Sequence, residues 1–158
     1  MRIYFANDLF NEATRLYNEK TVGQIRETFP QVSIYLPQEN DAINDKSSYA
    51  DSVDIAVADY TELKNSDILV AVLDNQDFGV GVEIGLAYEM QIPIIGIYTD
   101  VRQQGSDNDK KIAALKAVGE NQFFYINLMA NGLIKKNGTM VTNTEELLYE
   151  LQKYLNID

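Results

Sequence analysis

Cysteine, histidine and tryptophan are all absent from this chain of 158 residues, and it contains only 3 prolines. Without cysteine there is no disulfide and no thiol nucleophile, which agrees with the cytoplasmic location that we expect. Without histidine, both a Ser-His-Asp triad and a histidine-ligated zinc site are excluded. Any acid, base or nucleophile of this protein must therefore be sought among Asp, Glu, Tyr, Lys, Ser and Thr.

Positive charge is also scarce, since 13 Lys and Arg face 24 Asp and Glu for a net charge of −11. Proteins bind nucleic acids and anionic membranes through basic patches, so we expect neither partner. No apolar run approaches the roughly 18 residues of a membrane-spanning helix. The N-terminal residues MRIYFANDLF are too polar for a signal peptide. A chain of this length predicts a single domain, residues 1–158.

Short apolar runs alternate with amphipathic stretches along the chain. The apolar runs predict five strands, at residues 2–6, 32–36, 67–73, 94–99 and 123–129. The amphipathic stretches predict helices at residues 8–29, from a Ser48 or Asp51 cap to about 65, at 80–91, at 110–118, and from a Thr144 cap to about 155. Residues 38–48 and 101–109 predict loops, and two Asn-Gly pairs predict a turn or small hairpin within 131–141.

This alternation predicts an α/β fold with a doubly wound, five-stranded parallel sheet and helices on both faces, in three layers. We expect the flavodoxin-like strand order 2-1-3-4-5. Ligands of such sheets bind beyond the carboxyl ends of the strands at the switch point, which here lies between strands 1 and 3. The loops at residues 6–10 and 74–81 are therefore the first candidates for a site.

The second of these loops leads into the most informative segment, Asp77-Phe78-Gly79-Val80-Gly81-Val82-Glu83-Ile84-Gly85. Helical spacing places Glu83 on one stripe with Val80, Leu86, Ala87 and Met90. A carboxylate on an apolar stripe is costly to bury without a partner. It is either a functional group or a carboxylate held by the helix dipole or by a buried base.

Three further side chains lie on segments that converge at the switch point. Asp77 could cap the helix that follows it, Asp59 could be a solvated helix residue, and Tyr4 could be ordinary strand core. Several carboxylates with a tyrosine hydroxyl also suit a sugar, because such groups hold hydroxyls and one carboxylate can attack the anomeric carbon.

Other ligand classes fit less well. The pattern Gly79-x-Gly81-x-x-x-Gly85 differs from a dinucleotide fingerprint in its last interval and follows the third strand, not the first. Residues 6–10 offer no Ser or Thr for the phosphate of FMN, and no Walker A pattern occurs. A receiver domain could use Asp8 and Asp74, but no lysine directly follows the predicted fifth strand.

These residues resemble the nucleoside 2-deoxyribosyltransferase family from Tyr4 to about Met129. The opening Ile3-Tyr4-Phe5-Ala6, the position of Asp59 ahead of Asp67, and the Asp77-to-Gly85 segment are similar to the family's motifs, in which the Glu is the nucleophile. The segment Ile126-Asn127-Leu128-Met129 is similar to one that reaches a neighbouring subunit's site in hexameric members. A longer helical tail departs from members that end near the site.

The resemblance implies base exchange on 2′-deoxynucleosides, with retention, through a covalent deoxyribosyl-Glu83. Tyr4 would orient Glu83, while Asp59 and Asp77 would hold sugar hydroxyls or help to protonate the base. The expected substrate-binding residues are Gly79, Gly81, Asn127, Met129 and Asn7. Neither a metal nor an organic cofactor is implied. The partners would be a nucleoside, a free nucleobase and further copies of the chain, as a dimer or hexamer, in nucleoside salvage.

Two alternatives remain. A related 2′-deoxynucleoside 5′-monophosphate N-glycosidase is less favoured, because Asp77 and Asp8 would repel a phosphate dianion. A non-catalytic ligand-binding or receiver-like signalling domain on the same fold is the other, since fold alone does not define function.

Overall fold

The computed structural model of the protein describes residues 1–44, 50–101, 109–110 and 126–155. The strands are β1 (Arg2–Ala6), β2 (Ser33–Tyr35), β3 (Ile68–Val72), β4 (Ile94–Ile97) and β5 (Gly138–Val141). The helices are α1 (Glu12–Thr28), α2 (Asp41–Asn44), α3 (Ser52–Lys64), α4 (Phe78–Glu89), α5 (Leu128–Asn137) and α6 (Thr144–Leu155). A single 3₁₀ turn covers Pro37–Glu39. In this part of the chain, no helix combines the length and hydropathy needed to cross a membrane.

All five strands lie in one parallel sheet with the order β2-β1-β3-β4-β5, which confirms the predicted topology. Side chains alternate across the sheet. Ile3 and Phe5 pack with α1 and α6 on one face, while Tyr4 and Ala6 pack with α3, α4 and α5 on the other. β3 is buried along its whole length, as expected for a central strand that is covered on both faces.

The predicted fifth strand at residues 123–129 is wrong where the structure describes it. Asn127 instead begins α5, because its Oδ1 accepts hydrogen bonds from the backbone N–H groups of Met129 and Ala130. The fifth strand is β5, and the predicted turn at 131–141 is replaced by α5 and β5. A Cβ at Gly138 would lie 1.8 Å from the carbonyl oxygen of Ile94, so only glycine permits this close pairing of β5 with β4.

Other local predictions meet mixed outcomes. Asp51 begins α3 through a reciprocal capping box with Asp54, as expected for one of the two candidate caps. The predicted loop at 38–48 contains part of the 3₁₀ turn and α2. Asn143, not Thr144, caps α6, since its Oδ1 accepts from the N–H of Glu146 at 2.8 Å. The predicted loop at 101–109 and helix at 110–118 lie almost entirely outside the described residues.

Candidate active site

Glu83 and Tyr4 meet beside the carboxyl end of β1. The Tyr4 hydroxyl donates a hydrogen bond of 2.5 Å to Oε1 of Glu83. Tyr4 is completely buried on the sheet face that α3 and α4 cover. The same stripe of α4 that carries Glu83 buries Val80 and Ala87, so the helix directs the carboxylate towards the sheet. The carboxylate on the apolar stripe is therefore paired, and its partner is a tyrosine and not a base.

The surroundings of Glu83 favour its neutral form. The pKa of Glu83 is raised to about 8, chiefly by burial and in addition by the nearby carboxylates of Asp59 and Asp77, while the Tyr4 hydrogen bond acts in the opposite direction. Burial and the Glu83 charge raise the pKa of Tyr4 well above its ordinary range. Tyr4 therefore remains a hydrogen-bond donor while Glu83 can change charge in the range where enzymes often operate.

Asp59 lies on α3 and joins the same group of side chains. Its Oδ1 accepts a hydrogen bond from the Tyr35 hydroxyl at a distance of 3.3 Å. Burial raises the pKa of Asp59, and the neighbouring hydroxyls of Tyr35 and Tyr4 oppose that shift. The Tyr4 hydroxyl thus interacts with both carboxyl groups, Glu83 and Asp59, which makes these three residues the centre of the site.

Asp77 occupies the turn before α4 and has the capping role that its position predicts. Its Oδ1 accepts a hydrogen bond of 3.0 Å from the N–H of Val80. A Cβ on Gly79 would lie 2.9 Å from the same oxygen, so the absence of a side chain at Gly79 leaves room for the Asp77 carboxylate. Asp77 is close enough to Glu83 to affect its charge, which places Asp77 at the rim of the same site.

Gly81 on α4, together with Asn127 and Met129 at the start of α5, lies in a second region, which does not include Glu83. Together with Asp77 they line a largely apolar cavity of about 430 Å³ between α4 and α5, to which Glu83 does not contribute. The Met129 side chain is 75% exposed. Within one chain, the structure therefore does not bring Asn127 and Met129 next to Glu83, and Asp77 is the one expected site residue shared by both regions.

The Asn7 side chain forms hydrogen bonds that stabilise the loop that follows β1. Its side chain is buried, its Nδ2 donates to Asn18 at 2.7 Å, and its Oδ1 accepts from the N–H of Asp8. Asp8 is also buried and accepts hydrogen bonds from the Thr14 hydroxyl at 2.6 Å and from Asn75 Nδ2 at 2.5 Å. The contacts of Asn7 and Asp8 therefore hold the first and third loops together at the switch point.

Sequence analysis missed Tyr35 and Asn40. Tyr35 pairs with Tyr4 in the parallel register of β1 and β2, and the two rings lie 5.1 Å apart between their centroids. Asn40 Nδ2 donates a hydrogen bond of 3.0 Å to the Tyr35 hydroxyl. A tyrosine in a short strand resembles core packing in the sequence, and only the strand register reveals that it reaches Asp59.

The candidate site is acidic and phenolic. Among residues 1–44, 50–101, 109–110 and 126–155, no group of three or more acidic side chains is arranged to hold a metal ion. The arrangement offers one carboxyl group with an oriented donor and two further carboxyl groups beside it. Such a set can bind sugar hydroxyls and attack an anomeric carbon, as enzymes acting on glycosidic bonds do.

Comparisons with known proteins place this α/β domain in a defined family. The family model for nucleoside 2-deoxyribosyltransferase matches residues 3–129, and the chain belongs to that family, which is a family of enzymes. No curated protein matches the sequence at a significant level.

Solved structures agree with the fold. A conserved protein from Enterococcus faecalis V583 is 52% identical, with a TM-score of 0.83 over 97% of this chain and 98% of that one. A 2-deoxyribosyltransferase from Bacillus psychrosaccharolyticus is 19% identical, with a TM-score of 0.65 over 94% and 90% of the two chains. A CMP N-glycosidase from Clostridium botulinum is 15% identical, with a TM-score of 0.58 over 98% and 99%. The last two similarities concern the fold alone.

Proposed function

We propose that this protein is a nucleoside 2-deoxyribosyltransferase that exchanges the base of 2′-deoxynucleosides through a covalent deoxyribosyl-Glu83 intermediate. The observation that carries the proposal is the 2.5 Å hydrogen bond from Tyr4 to Glu83 at the switch point of the sheet. Because Tyr4 engages Oε1, Oε2 is the oxygen left to attack the sugar. Membership of the family and the acidic surroundings of Glu83 support the same conclusion.

The proposed reaction has two displacements at C1′ of the sugar. Ionised Glu83 forms a C1′–O bond as the C1′–N bond to the base breaks, and the bonding electron pair leaves on the base nitrogen, which takes up a proton. A nitrogen of the acceptor base then attacks C1′ and loses its proton, and the ester electrons return to Glu83. Two inversions retain the configuration at C1′. Water as the acceptor would give hydrolysis.

Asp59 and Asp77 would both contact the substrate beside Glu83. The raised pKa of Asp59 suits a group that shares a proton with the departing base, while Asp77 at the helix start suits a sugar hydroxyl. A 2′-deoxy sugar favours the oxocarbenium-like transition state, because it lacks the electron-withdrawing hydroxyl of ribose. The chemistry needs no metal or organic cofactor, and the biological role that we propose is nucleoside salvage in the cytoplasm.

The charges around Glu83 favour a nucleoside over its 5′-monophosphate. The two groups whose charge raises the Glu83 pKa, Asp59 and Asp77, both bring negative charge to the site. A phosphate dianion close to these carboxylates would meet repulsion of about 1 kcal/mol or more per charge at the dielectric of a protein surface. The monophosphate N-glycosidase is therefore the second candidate.

Exposed apolar side chains support the proposal that copies of this chain associate. They are Val53, Val57 and Tyr60 at helical spacing on α3, Phe78 and Val82 on α4, and Leu128 and Met129 on α5. Phe78 and Met129 also line the cavity beside α4, so a second copy bound here would cover this cavity and Asp77, which lines it too. Light scattering of the purified protein tests this proposal: a monomer at micromolar concentration would contradict it, and a dimer or hexamer would agree with it.

The activity is tested by chromatography of the purified protein with 2′-deoxyinosine, with and without adenine or cytosine. New deoxyadenosine or deoxycytidine is expected from the wild type and from Glu89→Ala, whose exposed carboxylate lies on the same helix. Glu83→Ala should form neither product.

Other results identify the alternatives. Free hypoxanthine and deoxyribose without exchange would indicate a hydrolase. Turnover of the 5′-monophosphate alone would indicate the N-glycosidase. Ligand binding without turnover, unchanged in Glu83→Ala, would indicate a non-catalytic domain.

A further inference from the structure

A chain of hydrogen bonds that does not include Tyr4 also reaches Asp59. It begins at Asn40, whose Nδ2 lies 3.0 Å from the Tyr35 hydroxyl, and continues over 3.3 Å from that hydroxyl to Oδ1 of Asp59. Asn40 directly follows the 3₁₀ turn, and Tyr35 ends β2. The residue after the 3₁₀ turn, the end of β2 and α3 are thus linked one after another, and the chain of hydrogen bonds ends at one carboxyl oxygen of the candidate site.

The direction of this chain follows from which groups can donate. Asn40 Oδ1 accepts a hydrogen bond from the N–H of Ala42 at 3.1 Å, so the amide nitrogen is the atom that faces Tyr35. An amide N–H can only donate, and it occupies a lone pair of the Tyr35 oxygen. The single proton of Tyr35 is then directed to Asp59, which can only accept when it is ionised.

We propose that Tyr35, oriented by Asn40, is a positioning residue that commits Oδ1 of Asp59 and leaves Oδ2 for the substrate. This inference rests on the proposed function, because it assigns Asp59 a contact with the departing base or the sugar. Tyr35 itself touches no reacting atom in this account. It acts on the reaction through the rotamer and the proton affinity of Asp59.

The groups that face Asp59 come from each neighbouring element. Tyr35 on β2 donates to it, and the hydroxyls of Tyr35 and of Tyr4 on β1 lower its pKa, whereas Glu62 on α3 itself raises it through charge. The charge of Asp59 in turn raises the pKa of Glu83 on α4. Burial raises the pKa of Tyr35 to about 12, so Tyr35 keeps its proton in the range where the enzyme would operate. Loss of the Tyr35 hydroxyl should therefore raise the pKa of Asp59.

The experiment compares the wild type with Tyr35→Phe, which keeps the ring packed on Tyr4 and removes only the hydroxyl. Tyr149→Phe is the control, because the Tyr149 side chain is 62% exposed on α6. The first readout is a ¹³C NMR titration of the Asp59 carboxyl carbon, assigned with Asp59→Asn. The second is kcat and KM for exchange between 2′-deoxyinosine and adenine. Asn40→Ala is a second variant, with a smaller effect expected in the same direction.

We expect a higher Asp59 pKa in Tyr35→Phe, and a kcat lowered by about tenfold, the size of one charge-assisted hydrogen bond, with KM changed much less. Tyr149→Phe should match the wild type in both readouts. An unchanged Asp59 titration in Tyr35→Phe would overturn the inference, whether or not exchange is seen. If the wild type exchanges bases and kcat is the same in Tyr35→Phe, the inference fails while the proposed function stands. If no protein exchanges bases, the proposed function fails, and the positioning role in catalysis fails with it.

Discussion

Tyr4 and Glu83 are separated by 79 positions in the chain, yet the Tyr4 hydroxyl donates a 2.5 Å hydrogen bond to the Glu83 carboxylate. The parallel sheet creates this contact, because the end of β1 and the start of α4 meet at the switch point. One hydrogen bond therefore joins a central strand of the sheet to the helix that carries the proposed nucleophile. Its consequences for catalysis and for stability can be measured separately.

Removal of the Tyr4 hydroxyl should affect Glu83 directly. The Tyr4 hydrogen bond lowers the Glu83 pKa, so Tyr4→Phe should raise it further. Because the attacking carboxylate must be ionised, the rising limb of kcat/KM against pH should move to higher pH. The kcat at neutral pH should fall by about 10- to 100-fold, the value of a hydrogen bond to a charged group. A pH profile that coincides with that of the wild type would show that the hydroxyl does not orient Glu83.

Glu83 should also make folding stability depend on pH. Its pKa in the folded protein is about 8, above the ordinary value of 4.5, so the folded state favours the protonated form. This contribution is fully present below the ordinary value and is lost as the pH rises to about 8. Relative to Glu83→Gln, the free energy of unfolding of the wild type should fall by about 2–4 kcal/mol over this pH range.

Urea denaturation of both proteins at a series of pH values measures the difference, with Glu89→Gln as the control on the exposed side of α4. A constant difference between wild type and Glu83→Gln would contradict the burial of this carboxyl group.

The preference for a nucleoside should depend on Asp77. The wild type should use 2′-deoxyinosine with a higher kcat/KM than its 5′-monophosphate. Asp77→Asn keeps a good N-cap for Val80 while removing one negative charge, and should narrow that preference by about fivefold, for about 1 kcal/mol of repulsion. Faster turnover of the monophosphate by the wild type would reverse the assignment of substrate.

Two glycines near the edge of the sheet should respond oppositely to alanine. Gly138→Ala would place a Cβ against the backbone of Ile94, and should cost several times the ordinary effect of a point mutation, which is about 1 kcal/mol. Gly132 lies inside α5 with open space around it, so Gly132→Ala should stabilise the protein by about 0.5–1 kcal/mol. Thermal denaturation distinguishes the two. Equal effects would contradict the close pairing of β5 with β4.

The central strands could be predicted from the sequence because they are continuous apolar runs, and the run of β3 is the clearest of them. The strand at the edge of the sheet, β5, could not be predicted in this way. β5 has only four residues and begins with glycine, whereas the apolar segment around Ile126 favours a strand on composition. The structure uses Asn127 as a helix cap there, and Gly132 is tolerated inside α5. The local sequence pattern does not show whether such a segment forms a helix that Asn127 caps or a strand. Contacts with residues far away in the chain determine which of the two forms.

The site shows the same division. Glu83 was recognisable because a carboxylate on an apolar helical stripe demands a partner, and Asp77 because it precedes a helix. Tyr35 could not be recognised from the sequence, since its contact with Asp59 depends on the register of β1 with β2 and on the turn that places Asn40. Asn127 and Met129 line a cavity beside α4 to which Glu83 does not contribute, and sequence spacing could not show this.

The most direct test of Glu83 as the nucleophile is intact-mass spectrometry of the protein after incubation with 2′-deoxyinosine in the absence of an acceptor base. We expect a mass increase of one deoxyribosyl group, mapped by peptide analysis to Glu83, removed by added adenine and absent from Glu83→Ala. Base exchange without any adduct, or an adduct on another residue, would contradict Glu83 as the nucleophile.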